Sequence, residues 1–309
     1  MKIFTLTLNP AFDIHAHISH FEKHAENLAT VTDRDVGGKG VNISRALRVL
    51  GYDSTALVAV GEENGEEFCR ALAADGMPYH AFSLAGRIRE NLTLHEDGAP
   101  ETRISFGGLA ADGSLLAAVQ DYLAACVAAG DVITLTGRLP NGLATEEVTA
   151  FLLRMQEQGA RVVIDSRSFG LAEMMNAHPF LIKPNEEEAR GYLGKEITSP
   201  QEAADGALCL QRAGVENVII SLGKEGAVLA CSKGVFHATP PAICAVSTVG
   251  AGDSSIAGFL AALSDGKSKA DALCMAVACG TAACLQNGTR PPALADVARI
   301  LPAVKIKRL

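Results

Sequence analysis

Six short apolar runs, KIFTLTL (2–8), ALVAV (56–60), VITLT (132–136), RVVID (161–165), FLIK (180–183) and NVIISLG (217–223), are spaced along the chain with helix-period segments between them. Runs of this length with β-branched residues predict buried strands. The segments VNISRALRVLG, SLLAAVQDYLAACVAAG and LATEEVTAFLLRMQEQG are amphipathic, and the first and last end on the glycine that follows a helix C-terminus. Strand and helix in alternation cannot pair as hairpins. They imply an α/β fold with a mainly parallel sheet covered by helices on both faces.

Two stretches break the alternation. Residues 13–34 and 88–108 are strand-like, and Glu96-Asp97-Gly98 marks a hairpin in the second. They predict a small β lid inserted in a main domain formed by 1–12, 35–87 and 109–309. Beyond residue 253 the pattern is helical, with Ile256, Phe259, Leu260 and Leu263 on one face and a second helix over about 269–285.

With 309 residues and 48% hydrophobic side chains the chain can bury a full core. A net charge of −8 argues against nucleic acid or an anionic membrane as partner, since either needs a dominant basic surface. The eight cysteines lie in apolar segments without CxxC spacing and are expected to be reduced core residues. Neither a signal segment nor an apolar run of about 18 residues occurs, so a cytoplasmic location is expected.

The chemistry concentrates in VSTVGAGDSSIAGFLAAL, residues 246–263. Gly250, Ala251 and Gly252 suit a turn that cradles phosphate, yet Asp253 follows directly. GGKG at 37–40 and SLGKEG lack the residue after Lys that a P-loop needs, and GAGDSS lacks the third glycine of a dinucleotide fingerprint. A helix starting here would offer the free amides of Ala251, Gly252 and Asp253 at its positive end. Such a pocket stabilises a phosphoryl group in flight, while Asp253 takes the proton of an attacking hydroxyl. The plainer alternative is that Asp253 only caps the helix.

STVGAGDS, GGKGVNISRALRVLG (37–51), TLTLNPAFD (5–13) and KPNEEE (183–188) together resemble the motifs of ribokinase-like (PfkB) sugar kinases, in particular their phosphofructokinase branch. TLTG (134–137), VVID (162–165), IISLGKEGA (219–227) and QNGTR (286–290) extend the resemblance over essentially the whole chain. It implies a ribokinase-like three-layer α/β/α domain with a β lid that often pairs with a second subunit's lid, hence a homodimer. It further implies Asp253 as catalytic base, with Gly250, Ala251 and Gly252 as anion hole. ATP is expected against Lys183, Asn185, Ser221, Gly223, Gly226 and Asn287, and Mg²⁺ near Glu188, held indirectly. The sugar is expected against Asp13, Gly37, Gly38 and Asn42.

Sugar-phosphate kinases of this branch resemble one another in an Arg-x-Asn motif on a lid strand, here Arg89-Glu90-Asn91. Arg binds phosphate through two parallel hydrogen bonds, so a phosphorylated ketose is implied, with Arg87 and Lys39 as possible helpers. Two departures stand out. Thr93 occupies a position where relatives often carry Lys, and Arg138 replaces a small Ser in TGRLP, either as a second phosphate ligand or as a surface residue. Fructose 1-phosphate is the first expected acceptor, and fructose 6-phosphate and tagatose 6-phosphate are alternatives. A non-catalytic sugar-phosphate-binding regulator would keep the fold without needing Asp253. A nicotinamide-dependent dehydrogenase would need the N-terminal fingerprint that is missing. His15, His17, His20 and His24 lack metal-ligand spacing and are expected to be lid and interface residues.

Overall fold

The computed structural model describes Met1–Leu309. After β1 (Ile3–Thr7) come β2 (Ala11–Ile18), β3 (Thr30–Gly37), α1 (Lys39–Val49), β4 (Thr55–Gly61), α2 (Gly65–Ala74) and β5 (Tyr79–Leu84). The chain continues through β6 (Arg89–Glu96), β7 (Thr102–Ile104), α3 (Gly113–Ala124), β8 (Val132–Thr136), α4 (Thr145–Glu157), β9 (Arg161–Asp165) and α5 (Leu171–Asn176). Next are β10 (Leu181–Ile182), α6 (Glu186–Leu193), α7 (Pro200–Arg212), β11 (Asn217–Ser221), β12 (Ala227–Cys231) and β13 (Gly234–Thr239). The last elements are α8 (Ala251–Ser264), α9 (Lys269–Ala283), α10 (Leu294–Ile300) and β14 (Lys305–Arg308).

Each of the six apolar runs forms a strand of one ten-stranded sheet, ordered β14-β13-β12-β11-β10-β9-β8-β1-β4-β5. From β11 to β5 all pairings are parallel, while β11 through β14 pair antiparallel. The strand runs are apolar throughout because both faces are covered. Ile133, Leu135, Val162 and Ile164 pack with α2, α3 and α4 residues such as Phe68, Leu123 and Phe151. Val132, Val163, Leu181 and Ile219 face the other way, onto Ile43 and Leu47 of α1 and Ile256 and Phe259 of α8. The period-two alternation of strand side chains thus separates two helix layers.

The remaining strands make a four-stranded sheet, ordered β3-β2-β6-β7. Its pairing extends past the expected 13–34, from Ala11 opposite Gly37, so that Asp13 and the glycine pair lie side by side. Asp13 is in register with Asn91 on the parallel neighbour β6. The hairpin from β6 to β7 turns at Gly98, whose φ of 73° is the left-handed conformation expected of that position.

The expectation of one apolar face on α8 is too narrow. Its residues are buried almost all round, because α9 packs closely along it. A Cβ at Gly258 would lie 2.7 Å from Cys279 Sγ and from the Met275 carbonyl, so the approach requires glycine. All eight cysteines are free, but Cys209 and Cys244 are exposed, contrary to a uniform core assignment. Cys209 lies on the outer face of α7 and Cys244 on the connection to α8. No helix is long and apolar enough to cross a membrane.

Candidate active site

Strands β1, β8, β9, β10 and β11 run parallel, so their carboxyl ends share one edge of the sheet, where open α/β sheets bind ligands. Thr7, Thr136, Asp165, Lys183 and Ser221 lie at those ends, and α1 and α8 begin there.

Gly250 is the N-cap of α8 with φ 79°, packed against Thr289. The first helical hydrogen bond runs from Ser254 N to the Gly250 carbonyl at 2.9 Å, so the Gly252 and Asp253 amides have no helical acceptor. The Ala251 amide is partly occupied, reaching the Thr248 carbonyl at 3.4 Å, which leaves two fully free donors where three were expected. Lys183 Nζ lies beside them, 2.9 Å from where a Cβ on Gly252 would stand, and has no protein hydrogen-bond acceptor. The turn therefore combines free amides, a helix N-terminus and an uncommitted ammonium, which is an arrangement for an anion.

Asp253 does not cap the helix. Its Oδ2 accepts from Asn42 Nδ2 at 2.9 Å, and only 5% of the residue is exposed. Burial pushes its carboxyl up to about 6; the Asp165 charge adds to this, while Lys39, Asn42 and Lys183 pull it down. A carboxylate poised there can accept a proton near neutral pH. Asp165 behaves oppositely. Burial works to raise it, yet Lys183 and Lys39 overcome this and hold it below the usual carboxylate range. Lys39 Nζ donates to Asp165 Oδ2 at 2.9 Å, so this lysine lies at the turn rather than beside Arg89.

A second cluster is built around Asp13, which is 6% exposed. Its Oδ1 accepts from Asn91 Nδ2 at 2.9 Å and Arg103 Nη2 at 3.0 Å, and its Oδ2 lies over Gly37, where any Cβ would clash. Gly38, at φ 137°, brings the chain past Thr7 into α1. Asn42 and Asn91 each give their amide nitrogen to a carboxylate, leaving Oδ1 as a buried acceptor without a partner. Buried acceptors of this kind are normally satisfied, and sugar hydroxyls would satisfy them.

Arg89 extends its guanidinium to the carbonyls of Asn9, Pro10 and Phe106, all at 3.4 Å. Burial lowers its proton affinity, opposed by Asp13 and reinforced by two nearby cations, Arg138 and Arg103. Arg138 is exposed and lies near enough to Arg89 for its charge to be felt there. Arg87 instead turns to Glu90, at 3.3 Å. Arg103 was not singled out from the sequence. It stands directly across from Thr93 in the β6–β7 pairing, which places a cation beside the position where relatives often carry lysine.

Asn185 and Glu188 form a capping box at the start of α6. The Glu188 amide donates to Asn185 Oδ1 at 2.8 Å, and the Asn185 amide to Glu188 Oε2 at 3.1 Å. Asn185 also bridges Ser221, which brings KPN against the end of β11. Gly223 and Gly226 have φ of 51° and 86°, and a Cβ on Gly226 would strike the Ala238 carbonyl. Asn287 is exposed in the loop whose Gly288 packs on His15 and whose Arg290 reaches Asp33 at 3.1 Å. Arg167, also missed in the sequence, donates to Glu188 Oε1 at 2.9 Å. Nowhere do three or more His, Cys, Asp or Glu side chains converge as a metal cage. Both carboxylate oxygens of Glu188 accept from protein donors, Arg167 and the Asn185 amide. The lid histidines pair with their neighbours: His15 with His95 at 3.0 Å, His17 with Asp97 and His20 with Glu96.

The chain is similar to known proteins over nearly its whole length. The profile of the pfkB family carbohydrate kinases matches residues 7–296. The chain is 31% identical to 1-phosphofructokinase of Escherichia coli (strain K12) over 306 residues, 97% of each chain. It is 32% identical to 1-phosphofructokinase of Bacillus subtilis (strain 168), covering 99% of this chain and 100% of that one. The crystal structure of phosphofructokinase-2 from Escherichia coli in complex with substrates and products superposes with a TM-score of 0.90 at 28% identity, over 98% of this chain and 99% of that one. The α/β layers and the small sheet are thus those of a phosphotransferase acting on a sugar hydroxyl, and the chain belongs to the pfkB family of carbohydrate kinases.

Proposed function

We propose that this kinase transfers the γ-phosphoryl group of ATP to the free primary hydroxyl of a phosphorylated ketohexose, fructose 1-phosphate first, giving fructose 1,6-bisphosphate. The observation that carries the reading is the grouping of Arg89, Arg103 and Arg138 around one space beside Asp13. Burial lowers the proton affinity of Arg89 and the charges of Arg138 and Arg103 add to this, and a phosphate already on the acceptor relieves that repulsion. A kinase of free sugars has no use for such a cluster.

Asp13 and the open acceptors of Asn42 and Asn91 hold the sugar hydroxyls between this cluster and Asp253. Asp253 accepts the proton of the attacking hydroxyl. The Gly252 and Asp253 amides, with Lys183 and Lys39, neutralise the phosphoryl group as it passes. Ser221, Gly223, Gly226 and the Asn287 loop lie along the nucleotide. Mg²⁺ would shield the phosphate charges, and Glu188 is the residue that would hold it, indirectly. The lid exposes Leu28 (93%), Val31 (62%), Phe106 (56%) and Ile104 (40%), a surface suited to the lid of a second copy in a homodimer.

The test is kcat/KM for fructose 1-phosphate, fructose 6-phosphate, tagatose 6-phosphate and unphosphorylated ketoses under one set of conditions. Fructose 1-phosphate is expected to lead, with unphosphorylated ketoses at least about 100-fold behind, the scale of losing charge-assisted contacts. Equal use of fructose would refute the phosphate site. Preference for a 6-phosphate would keep the site and reassign the acceptor.

A further inference from the structure

The mechanism above leaves one buried ionised group without a task. Asp165, the last residue of β9, is 5–6% exposed by side chain and residue and lies under the same gap as Asp253. We propose that Asp165 is a positioning residue of the phosphoryl-transfer centre: it holds Lys39 toward the moving phosphoryl group and keeps it from collapsing onto Asp253. This rests on the kinase reading and extends it to a residue that contacts neither substrate.

The placement is firm on both sides. The Asp165 carbonyl accepts the Gly137 amide at 3.0 Å, and its neighbour in register is Thr136 on β8, so the backbone is locked in the sheet. Lys39 enters as the first residue of α1 and reaches Asp165 twice, Oδ2 at 2.9 Å and the carbonyl at 3.5 Å. Lys183 comes from the end of β10 and is buried. Both lysines feel Asp165 and Asp253, yet the contact made by Lys39 is with Asp165 alone.

That choice matters chemically. A base bonded to an ammonium is a poorer base, and the ammonium would occupy the place of the incoming hydroxyl. With Asp165 ionised nearby, the lysine has a stronger partner. The remaining charged or titratable groups around this network are Glu188 and Tyr192 on α6 and Arg167 beyond β9. Arg167 is committed to Glu188, so it does not compete for Asp165 at contact distance.

The experiment is the pH dependence of kcat for wild type, Asp165→Asn, Asp165→Glu, Lys39→Met and the Asn/Met double variant, each checked by circular dichroism and thermal melting. In Asp165→Asn the acid limb should move down by about one pH unit, because Asp253 loses a neighbouring anion and gains Lys39 as a partner. Plateau kcat should fall roughly 10- to 100-fold. Asp165→Glu should restore the limb to its wild-type position. The double variant should be no slower than Lys39→Met, since both changes act through the same lysine. An unmoved limb in Asp165→Asn, multiplicative losses in the double variant, or a raised Mg²⁺ requirement with the limb unmoved would overturn the inference. Should Asp165→Asn fail to fold, Lys39→Met decides: its limb must move up, and a stationary limb overturns the coupling. A wild type that releases no ADP with any sugar phosphate would instead remove the proposed function itself.

Discussion

Replacing Asp253 by Asn separates the two consequences of burying a carboxylate at the start of α8. The change is nearly isosteric, and the amide can still accept from Asn42. Turnover should fall roughly 100- to 10,000-fold, the range for losing a general base, with the ATP dissociation constant nearly unchanged. Stability should move the other way. The Asp253 carboxyl rises from 3.8 to about 6 in the fold, chiefly through burial. A group raised on folding favours the native state fully below its unfolded value, and that contribution is lost as pH climbs through the folded value. At about 1.4 kcal/mol per pH unit, keeping Asp253 ionised costs the wild type about 3 kcal/mol at pH 8 and about half as much at pH 5. The Asn variant does not titrate, so its advantage over wild type should widen by about 1.4 kcal/mol between pH 5 and pH 8. Urea unfolding of both proteins at several pH values in that window, without ligands, measures this directly. A gap that stays flat would refute the raised carboxyl, and retained turnover would remove Asp253 from the role of base.

Arg89→Ala should raise KM for the sugar phosphate about 10- to 100-fold and leave KM for ATP nearly alone, since charge-assisted contacts contribute about 1.5–3 kcal/mol each; a shift in the ATP KM alone would place the residue on the wrong substrate. Arg103→Ala should show the same selectivity, and Arg103→Lys should recover part of the loss in steady-state assays. Gly258→Ala puts a methyl group against Cys279 and the Met275 carbonyl, and should lower stability by about 1–3 kcal/mol as read from the denaturation midpoint, with KM values retained. Leu28→Asp with Phe106→Ser should convert a dimer to a monomer in light scattering, and an unchanged mass would remove the lid interface.

How much of the site was legible depended on backbone constraint. Gly37, Gly38, Gly250 and Gly226 stood out because each lies where a side chain would clash or where φ is positive, and such positions leave a mark in sequence. Asp253 was conspicuous only because glycines flank it. Arg103 and Arg167 carry no such mark. Each is a charged residue in a polar stretch, and its partner, Asp13 or Glu188, lies 90 or 21 positions away. The antiparallel end of the sheet was equally hidden: KIKR becomes β14 by pairing with the edge that β13 offers.

The amino-acid sequence by itself determined the alternation of strand and helix, the inserted small sheet and the turn before α8, because these follow from local periodicity and from where glycine alone fits. Only the tertiary structure decided how residues 39, 165, 183 and 253 share charge. Proton affinity depends on burial and on neighbours a few ångströms away, and neither exists until the sheet brings those residues to one edge. Two aspartates that look alike in the chain thereby end in opposite states, Asp165 held ionised between lysines and Asp253 raised toward neutrality.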